Sequence, residues 1–587
     1  MVILTSSQPM LWLRQHLVLP FLLYTSLLGG AEQPKCRCLY GDPCWPTQNE
    51  FTNLANQLSQ PLLRPVPPPS ACYPTNMPSG NCSEVVAHYT DGNWRADQPG
   101  AMQNTNFESF VFLNGTIDAC YLNVSLNIPC EQGNVPPVSV DVRSAEDVQA
   151  AVVFAKRHNL RLVVKNTGHD YLGRSAGRGA FMIWTHHLKN MSYDASFTPS
   201  GAPRRHSAVE VVTLGAGVQW HEAYTFVSQQ NRTIVGGISQ GGSVGAAGGW
   251  VMGAGHSAFS PTFGLGVDNV VQFTLVLADG TYVTANAFQN VDLFWALRGG
   301  GGGTYGVVIS TTYRVHPAFS VGLAAISTNF PSYAAALAVV TEWTKLHPTI
   351  SDAGWGGYTY INQVGQADFQ MMFVSPNVSI EEATATFKPL FDIVGNATEG
   401  QAVAVVRSYP TFLDWYTAFF TLPGQSQVGG RVELASRLLP KAITMQDPEK
   451  VAKILLSLKA GVGINSVGGG AVSKVDPSST GLNPSWRKAL AEVYISETWE
   501  EGVSAATIAQ ARERLKQNTD VIDKLTTDSG SYLNEGSLYE KDFKKSYFGS
   551  HYVDLKGVKK KYDPTSLFVV ASGVGSEYWD EELKCRL

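Results

Sequence analysis

The sequence is poor in charge and, after residue 31, lacks any long apolar run. Asp, Glu, Lys and Arg make up 16% of the 587 residues, against roughly 25% in an average soluble protein. The formal net charge is only −5 and no basic patch is present, so nucleic acid is not an expected partner. No later run is long and apolar enough to cross a bilayer, so we expect no membrane partner either.

Cysteine is scarce and is confined to the two ends of the chain. Seven of the eight cysteines lie between residues 36 and 130, and the eighth is Cys585. An even number of cysteines in an exported chain predicts disulfides, and if all are paired, one bridge has to join the C-terminus to the N-terminal region. No metal site is expected, because no histidine lies at ligand spacing from the first three cysteines.

The first residues have the pattern of an export signal. Arg14 and His16 precede an apolar run at 17–28, and small residues follow at 29–31. The run is too short to span a bilayer, so we predict a signal peptide at 1–31 and a secreted, extracellular protein, with a retained anchor as the alternative. Seven N-x-S/T acceptors fit a secreted glycoprotein, at Asn81, Asn114, Asn123, Asn190, Asn231, Asn377 and Asn396.

The patterning changes along the chain and suggests four further segments. Residues 32–135 are rich in Cys, Pro and Asn and predict a disulfide-tied N-terminal extension. Short strands mixed with helices and Gly loops predict an α+β domain at 136–317. Helix-like stretches at 333–345 and 505–516 belong to a second α+β unit at 318–525. A segment rich in Tyr, Gly and Asp follows at 526–587.

Within the first α+β domain, several elements have clear local signals. Residues 144–159 predict a helix capped by Ser144. Residues 160–164 predict a strand, and 270–284 predict a hairpin across the turn pair Asp279-Gly280. Further strands are predicted at 181–184, 209–214, 232–235 and 307–315, and a helix at 292–298.

The loop that follows the 160–164 strand is the most informative stretch. Residues 165–175 contain two glycines, a histidine, an arginine and hydroxyl side chains. Such a loop brings backbone N–H groups close to a phosphate. Further Gly-rich segments lie at 236–256, 263–269 and 299–306. Together they fit a long ligand with a pyrophosphate and a flat ring, such as FAD. Tight turns in a β-rich protein would explain any one of them.

Two other motifs favour different functions. Gly301 to Gly306 fits G-x-G-x-x-G, but a helix precedes it and a strand follows, which is the reverse of a dinucleotide-binding turn. G-x-S-x-G occurs twice, with Ser239 and Ser243. The glycines that follow the second motif make a poor first turn of a helix, because each glycine destabilises a helix by about 1 kcal/mol relative to alanine. A secreted serine hydrolase stays as an alternative function. A flavin-binding glycoprotein without turnover is a third.

Ordered matches over most of the chain resemble the vanillyl-alcohol-oxidase-type flavoproteins, in particular the berberine-bridge-enzyme-like branch and its secreted fungal members. The matches are Cys36-Arg37-Cys38 with 44–46, 165–175, 184–188, 243–255, 293–300, 561–564 and 573–577. The resemblance implies an α+β fold with a two-lobed PCMH-type FAD-binding domain at 136–317. It also implies an α+β substrate domain at 318–525 and a C-terminal berberine-bridge-like segment at 526–587 that returns to the FAD domain.

The resemblance also implies the cofactor site. His169 would carry a covalent bond to the flavin 8α-methyl group, and Tyr171 would line the flavin. Many relatives have a second, cysteinyl link, but Gly241 stands at that position, so we predict a single link. Trp250 stands where plant members have a histidine, and Val251 at the oxygen-gating position resembles the oxidases. The implied cofactor-binding residues are Asn166, Thr167, Gly168, His169, Asp170, Tyr171, Gly173, Arg174, Ser175, Gly237, Ser243, Val244, Gly245, Gly248, Gly249, Val251, Gly255, Val307 and Asn534.

The implied activity is that of an FAD-linked oxidase. It would take a hydride from an alcohol, sugar or related C–H donor and pass the electrons to O₂, which gives H₂O₂. Tyr532 resembles the family's Tyr-x-Asn tyrosine and is the first candidate for the catalytic base, followed by Glu535 and His551. A tyrosine with a pKa near 10 would need that pKa lowered. His186 and His187 are expected in structural roles. Neither the substrate nor the oligomeric state is predicted.

Overall fold

The computed structural model describes residues 35–73, 80–362, 366–422 and 428–587. The predicted signal peptide at 1–31 lies outside the described residues. Residues Lys35–Leu587 form a single compact unit. In the described part of the chain, no helix combines the length and apolar character that a membrane crossing requires.

Described residues form nineteen strands in five sheets. The strands are β1 (Phe110–Val111), β2 (Ile117–Asp118), β3 (Val138–Asp141), β4 (Leu162–Lys165), β5 (Phe181–Trp184), β6 (Met191–Phe197), β7 (Val209–Gly215), β8 (Arg232–Thr233), β9 (Val270–Val276), β10 (Tyr282–Asn286), β11 (Val307–Arg314), β12 (His316–Pro317), β13 (Val321–Thr328), β14 (Gly356–Ile361), β15 (Phe369–Pro376), β16 (Val403–Tyr409), β17 (Val432–Pro440), β18 (Val462–Ser466) and β19 (Ala489–Thr498).

Sixteen α-helices are formed by the same described ranges. They are α1 (Gln48–Ala55), α2 (Cys82–His88), α3 (Gly92–Ala96), α4 (Ala145–Arg157), α5 (Trp220–Ser228), α6 (Gly249–Gly253), α7 (Ser260–Phe263), α8 (Gly266–Asn269), α9 (Val291–Leu297), α10 (Tyr333–Asp352), α11 (Ile380–Ala397), α12 (Phe412–Phe420), α13 (Lys441–Gln446), α14 (Pro448–Ser457), α15 (Ala505–Ile522) and α16 (Tyr552–Tyr562).

Two sheets carry the predicted FAD-binding domain. β3, β5 and β4 form a parallel sheet in that order, and β10-β9-β11-β7-β6 form an antiparallel sheet. α4 connects β3 to β4, and the Ser144 hydroxyl accepts from the Asp147 amide at its start. The predicted helix at 144–159, the 160–164 strand and the hairpin are therefore confirmed within one or two residues. The strand predicted at 232–235 is only the two residues of β8.

The second large sheet has seven antiparallel strands in the order β16-β13-β15-β14-β18-β19-β17. Helices α10, α11, α14 and α15 share a buried apolar core with one of its faces. In β19, Ala491, Val493 and Ile495 belong to that core. Because side chains alternate along a strand, Glu492 and Tyr494 lie on the opposite face. Because of this alternation, the polar side chains of Glu492 and Tyr494 are turned away from the helices.

Helices α10 and α15 are longer than the patterns predicted. α10 continues from Lys345 to Asp352 although Pro348 lies inside it. A proline has no N–H for the carbonyl four residues earlier, and this usually ends a helix. Here Ile350 and Ser351 are 1% exposed, so tertiary packing of the last turn outweighs the lost hydrogen bond.

All eight cysteines are paired, and one bridge joins the two ends of the chain. The pairs are Cys36–Cys585, Cys38–Cys44, Cys72–Cys82 and Cys120–Cys130. The predicted bridge between the C-terminus and the N-terminal region is therefore confirmed. The Arg37 amide donates to the Lys584 carbonyl at 2.7 Å beside the terminal bridge.

The C-terminal segment returns to the predicted FAD-binding domain, as the resemblance implied. α16 packs against α9. The buried Lys559 ammonium donates to the Thr304 carbonyl at 2.6 Å and pairs with Asp563 at 2.5 Å. Ahead of α16, Asn534 Nδ2 donates to the Trp250 carbonyl at 3.0 Å, which places residues 532–535 beside a Gly-rich loop. The α+β class is confirmed, whereas the predicted domain boundaries stay predictions.

Candidate active site

A cavity of about 230 Å³ lies where the Gly-rich loops meet the C-terminal segment. Four stretches line it: 164–175, 237–256, 302–308 and 532–535. They come from the end of β4, the turns around α6, the start of β11 and the Tyr-x-Asn segment. The predicted cofactor residues are thus brought together from positions more than 350 residues apart.

Asp170 organises the loop that follows β4. Its carboxylate accepts from the Leu172 amide at 3.1 Å, from Arg174 Nε at 3.0 Å and from the Ser175 hydroxyl at 3.2 Å. Gly168 has a φ of +83°, which is a left-handed conformation that favours glycine. Three hydrogen bonds on one carboxylate hold the loop in a fixed shape around its histidine.

The N-terminal extension supports the same loop from behind. The side-chain Nε2 of Gln103 donates to the Thr167 carbonyl at 2.8 Å, and the backbone N–H of Gln103 donates to the Gly168 carbonyl at 3.1 Å. The Lys165 ammonium donates to the Gln98 carbonyl at 2.7 Å. Burial lowers the pKa of Lys165 to about 7. The sequence contains no local signal for this support, because the extension has little periodicity.

His169 lines the cavity, with Ser243 beside its imidazole. The distance from His169 Nε2 to Ser243 Oγ is 2.8 Å. Burial lowers the pKa of His169 to about 3, so the imidazole is neutral near pH 7. Ser243 is fully buried, and a Cβ at Gly92 would lie 2.5 Å from its Oγ. The hydrogen bond at Nε2 leaves Nδ1 as the ring nitrogen available to a cofactor.

Glycines on the other side of the cavity form a shallow cradle. A Cβ at Gly248 or Gly249 would meet no atom within 4 Å, whereas one at Gly302 would meet the Gly249 Cα at 2.9 Å. Two polar atoms near this cradle, Arg174 Nη1 and Thr304 Oγ1, are buried without a hydrogen-bond partner. Bare backbone and unsatisfied donors are what a pyrophosphate and a flat ring require, so these residues fit FAD.

Tyr532 and Glu535 reach the cavity from the C-terminal segment. Asn534 connects them to the loops, because its Nδ2 donates to Tyr532 Oη at 2.9 Å and to the Trp250 carbonyl at 3.0 Å. Its Oδ1 accepts from Arg174 Nη2 at 3.1 Å. Burial and the charge of Glu535 raise the pKa of Tyr532 well above its ordinary value.

A cluster behind Glu535 was missed in the sequence. His256 Nε2 lies 3.1 Å from Glu535 Oε1, and Asn465 Nδ2 donates to Glu535 Oε2 at 3.3 Å. The same amide donates to Glu492 Oε2 at 3.0 Å. His256 lies just after the matched run 243–255. Glu492 and Asn465 come from β19 and β18 of the seven-stranded sheet, where no sequence motif indicated them.

Not every predicted site residue lines the cavity. Ser243 contacts His169 but does not line the cavity, and in β11 Val308 faces the cavity rather than Val307. Val251 is packed in the core beside it. Gly173 and Gly255 also fall outside the lining, and the other predicted cofactor residues belong to it.

His551 is not brought to the cavity, in contrast to the other two candidate bases. It packs against Trp295 with a ring separation of 5.3 Å. His186 Nε2 lies 2.7 Å from Asp97 Oδ1, and His187 Nδ1 lies 2.7 Å from Asp141 Oδ1. These two histidines make structural contacts outside the lining.

The G-x-S-x-G serines do not form a nucleophile elbow in the described residues. An elbow needs a strand that turns directly into a helix at the serine. Ser239 instead follows the two-residue β8 after a loop and precedes a 3-10 turn at Gln240–Gly242. Ser243 ends that turn and is fully buried.

Comparison with known proteins agrees with this geometry. The model of an FAD binding domain matches residues 136–286, and that of "berberine and berberine like" proteins matches 531–575. A protein of Arthroderma benhamiae named an uncharacterized FAD-linked oxidoreductase is 34% identical over 585 residues, which cover 96% of this chain and 98% of that protein.

Two further matches bear on the fold and the type of enzyme. The VAO-type flavoprotein oxidase VAO615 of Thermothelomyces thermophilus is 32% identical over 576 residues, covering 95% of this chain and 96% of that protein. The crystal structure of VAO-type flavoprotein MtVAO615 from Myceliophthora thermophila C1 superposes with a TM-score of 0.83 at 29% identity. It covers 94% of this chain and 100% of that one.

Proposed function

Because the chain belongs to the VAO-type, berberine-bridge-like family of FAD-linked oxidoreductases, we propose that it is a secreted oxidase of small-molecule donors. The donor would be an alcohol, a sugar or a related C–H compound, and O₂ the acceptor. One observation carries the proposal. The cavity has a neutral, hydrogen-bonded histidine on the Gly-loop side and a carboxylate with a tyrosine on the other.

FAD would be held by the 165–175 loop, the glycine cradle and Asn534. The chemistry that bound FAD would supply is acceptance of a hydride from the donor and transfer of the electrons to O₂, which would give H₂O₂. His169 Nδ1 would carry the covalent link, since Nε2 is occupied by Ser243. All eight cysteines are in disulfides, so no thiol is free for a second link.

Glu535 is the proton acceptor that the geometry favours. It lines the cavity, and His256 and Asn465 orient its carboxylate. Tyr532 was the first candidate, but burial and the neighbouring carboxylate raise its pKa, so its phenol stays protonated. We propose that Tyr532 donates a hydrogen bond to the donor's oxygen or nitrogen and that Glu535 takes the proton.

Secretion is supported by the covalent framework and by the surface. Four disulfides fit an oxidising compartment. All seven N-x-S/T asparagines are exposed. Expression with the native N-terminus should release a glycosylated protein that begins after about residue 31, and N-terminal sequencing of that protein checks it.

The function is tested by an absorption spectrum, acid precipitation and a peroxide assay. A pellet that stays yellow, together with H₂O₂ release from a screen of sugars and alcohols, is the expected result. H169A should bind FAD that washes out with acid. A colourless protein would refute the flavin, and a yellow protein that is silent with every donor would favour the flavin-binding glycoprotein.

The proton acceptor is tested by comparing E535Q with Y532F. We expect E535Q to lower kcat by 10²-fold or more, in the range of general bases. We expect Y532F to lose less, because only a hydrogen bond is removed. If Y532F loses turnover and E535Q keeps it, the assignment is reversed.

A further inference from the structure

Glu492 is a buried carboxyl group that lies next to Glu535 but outside the cavity lining. Its side chain is 0% exposed, on the β19 face that is turned away from the helices. Oε2 accepts a hydrogen bond from Asn465 Nδ2 at 3.0 Å, and the Ser436 hydroxyl is a second donor beside the carboxyl group. Oε1 is buried without a hydrogen-bond partner. An ionised carboxylate has about four acceptor positions, and here the Asn465 amide and the Ser436 hydroxyl are the donors beside them.

Within the ranges that the structure describes, the one basic group within ion-pair distance of Glu492 is the His256 imidazole, which lies nearer to Glu535. The titratable groups that face it are His256, Glu535, Tyr494 and Tyr532. His256 Nε2 is 3.8 Å from Glu492 Oε2 and nearer to Glu535, at 3.1 Å. Among the described residues no lysine or arginine forms an ion pair with Glu492.

The nearest strand also offers Glu492 no cation. Arg437 lies on the neighbouring strand β17, but its guanidinium pairs with Asp523 and Glu540. One imidazole, one amide and the Ser436 hydroxyl are thus the polar partners of the two carboxyl groups. Two adjacent carboxylates with so little compensation cannot both be ionised at low cost.

We infer that Glu492 is held as a neutral carboxylic acid, so that the Glu492–Glu535 pair carries one negative charge and that charge lies on Glu535. Glu492 is then a positioning residue for the proposed oxidase. It accepts the Asn465 amide that also holds Glu535, and it adds no like charge beside the base. Burial and the charge of Glu535 raise the pKa of Glu492 well above its ordinary value, which agrees with this placement.

The inference rests on the proposed function in one respect, the role of the Glu535 carboxylate as proton acceptor. The protonation of Glu492 is a property of the resting holoenzyme and needs no donor. It can therefore be measured apart from turnover, by the infrared C=O stretch of a protonated carboxyl group.

The test compares the wild-type holoenzyme with E492Q and E535Q by infrared difference spectroscopy at pH 7. The wild type should show a protonated-carboxyl band at pH 7 that shifts in D₂O and that E492Q lacks, and E535Q should show this band below its own midpoint. In a pH titration the band of E535Q should disappear at a lower pH than that of the wild type, because the like charge that favours the neutral acid is gone.

A wild-type minus E492Q difference without this band at pH 7 would overturn the inference. Should E492Q fail to fold, E535Q decides alone, and a midpoint that does not fall contradicts the assignment. Absence of the band in E535Q at every pH of the titration would place the proton on Glu535 and reverse the assignment. Normal turnover of E535Q would refute Glu535 as the base and leave the band of Glu492 as expected.

With a donor in hand, the pH profile adds a kinetic readout. If Glu492 is already neutral, E492Q leaves the acid limb of kcat/KM at the same pH, whereas an ionised Glu492 would shift that limb to lower pH in E492Q. E492L, which cannot accept from Asn465, should have a kcat about tenfold below that of E492Q, the size of one lost buried hydrogen bond. Equal kcat values for the two variants would contradict the positioning role.

Discussion

Removal of one hydroxyl, in the variant S243A, should slow the covalent attachment of FAD. His169 is neutral because burial lowers its pKa to about 3, and its Nε2 lies 2.8 Å from the Ser243 hydroxyl. For Nδ1 to bond to the cofactor it needs a free lone pair, so the ring proton has to lie on Nε2 and be donated to Ser243. Without Ser243 this tautomer loses its partner.

The size of the effect follows from the contact. A neutral buried hydrogen bond contributes about 1 kcal/mol net, and each ~1.4 kcal/mol is tenfold in rate. S243A should therefore attach FAD about fivefold more slowly. A Cβ at Gly92 would come within 2.5 Å of Ser243 Oγ, so the pocket is tight and the smaller alanine fits without a clash.

The assay follows flavin attachment in time. Apoprotein from riboflavin-limited cells is mixed with FAD, samples are precipitated with acid, and the flavin in each pellet is measured. S239A is the matched control, because Ser239 Oγ lies in the same cavity but has no hydrogen-bond partner. Attachment in S243A at the wild-type rate, or equal slowing in S239A, would refute the tautomer argument.

Three other outcomes are expected. H347L should gain stability over the wild type in acid: burial lowers the pKa of His347 from 6.5 to about 3, so the wild type loses about 1.4 kcal/mol per pH unit below 6.5, or roughly 2.7 at pH 4.5. Urea unfolding at pH 7.5 and 4.5 checks this, with H206L as the exposed control. G249V should bind less FAD at unchanged thermal stability, because its side chain enters the cradle; flavin content per protein measures it. Replacing Cys36 and Cys585 by serine should cost up to about 6 kcal/mol of unfolding free energy for a loop of 549 residues, and unchanged denaturant midpoints would contradict it.

Much of the FAD-binding half could be predicted because its signals are local. Ser144 and Asp147 mark a helix start by themselves, and Asp279-Gly280 marks a hairpin turn. The loop at 165–175 carries its chemistry within eleven residues. Its contacts with the cavity follow from that one stretch and from the order of the matched motifs.

The polar cluster behind Glu535 could not be predicted in the same way. In the sequence, Glu492 is a single acidic residue within an apolar strand. Whether its side chain lies near the site depends on which face of β19 packs against the helices. Asn465 faces it only because β18 and β19 are neighbours in register. Tyr532 was preferred as base because its motif is visible, whereas the burial that raises its pKa is a tertiary property.

The bridge between Cys36 and Cys585 can form only after almost the whole chain has been synthesised. Cys36 emerges near the beginning and its partner 549 residues later, which at about 5–20 residues per second is roughly 30 to 110 seconds. Throughout that interval the Cys36 thiol is exposed to nearer cysteines such as Cys38 and Cys44. Any premature pair has to be exchanged before the native one forms. The yield of this protein should therefore depend on the disulfide isomerase activity of its host, more than the three short-range bridges alone would require.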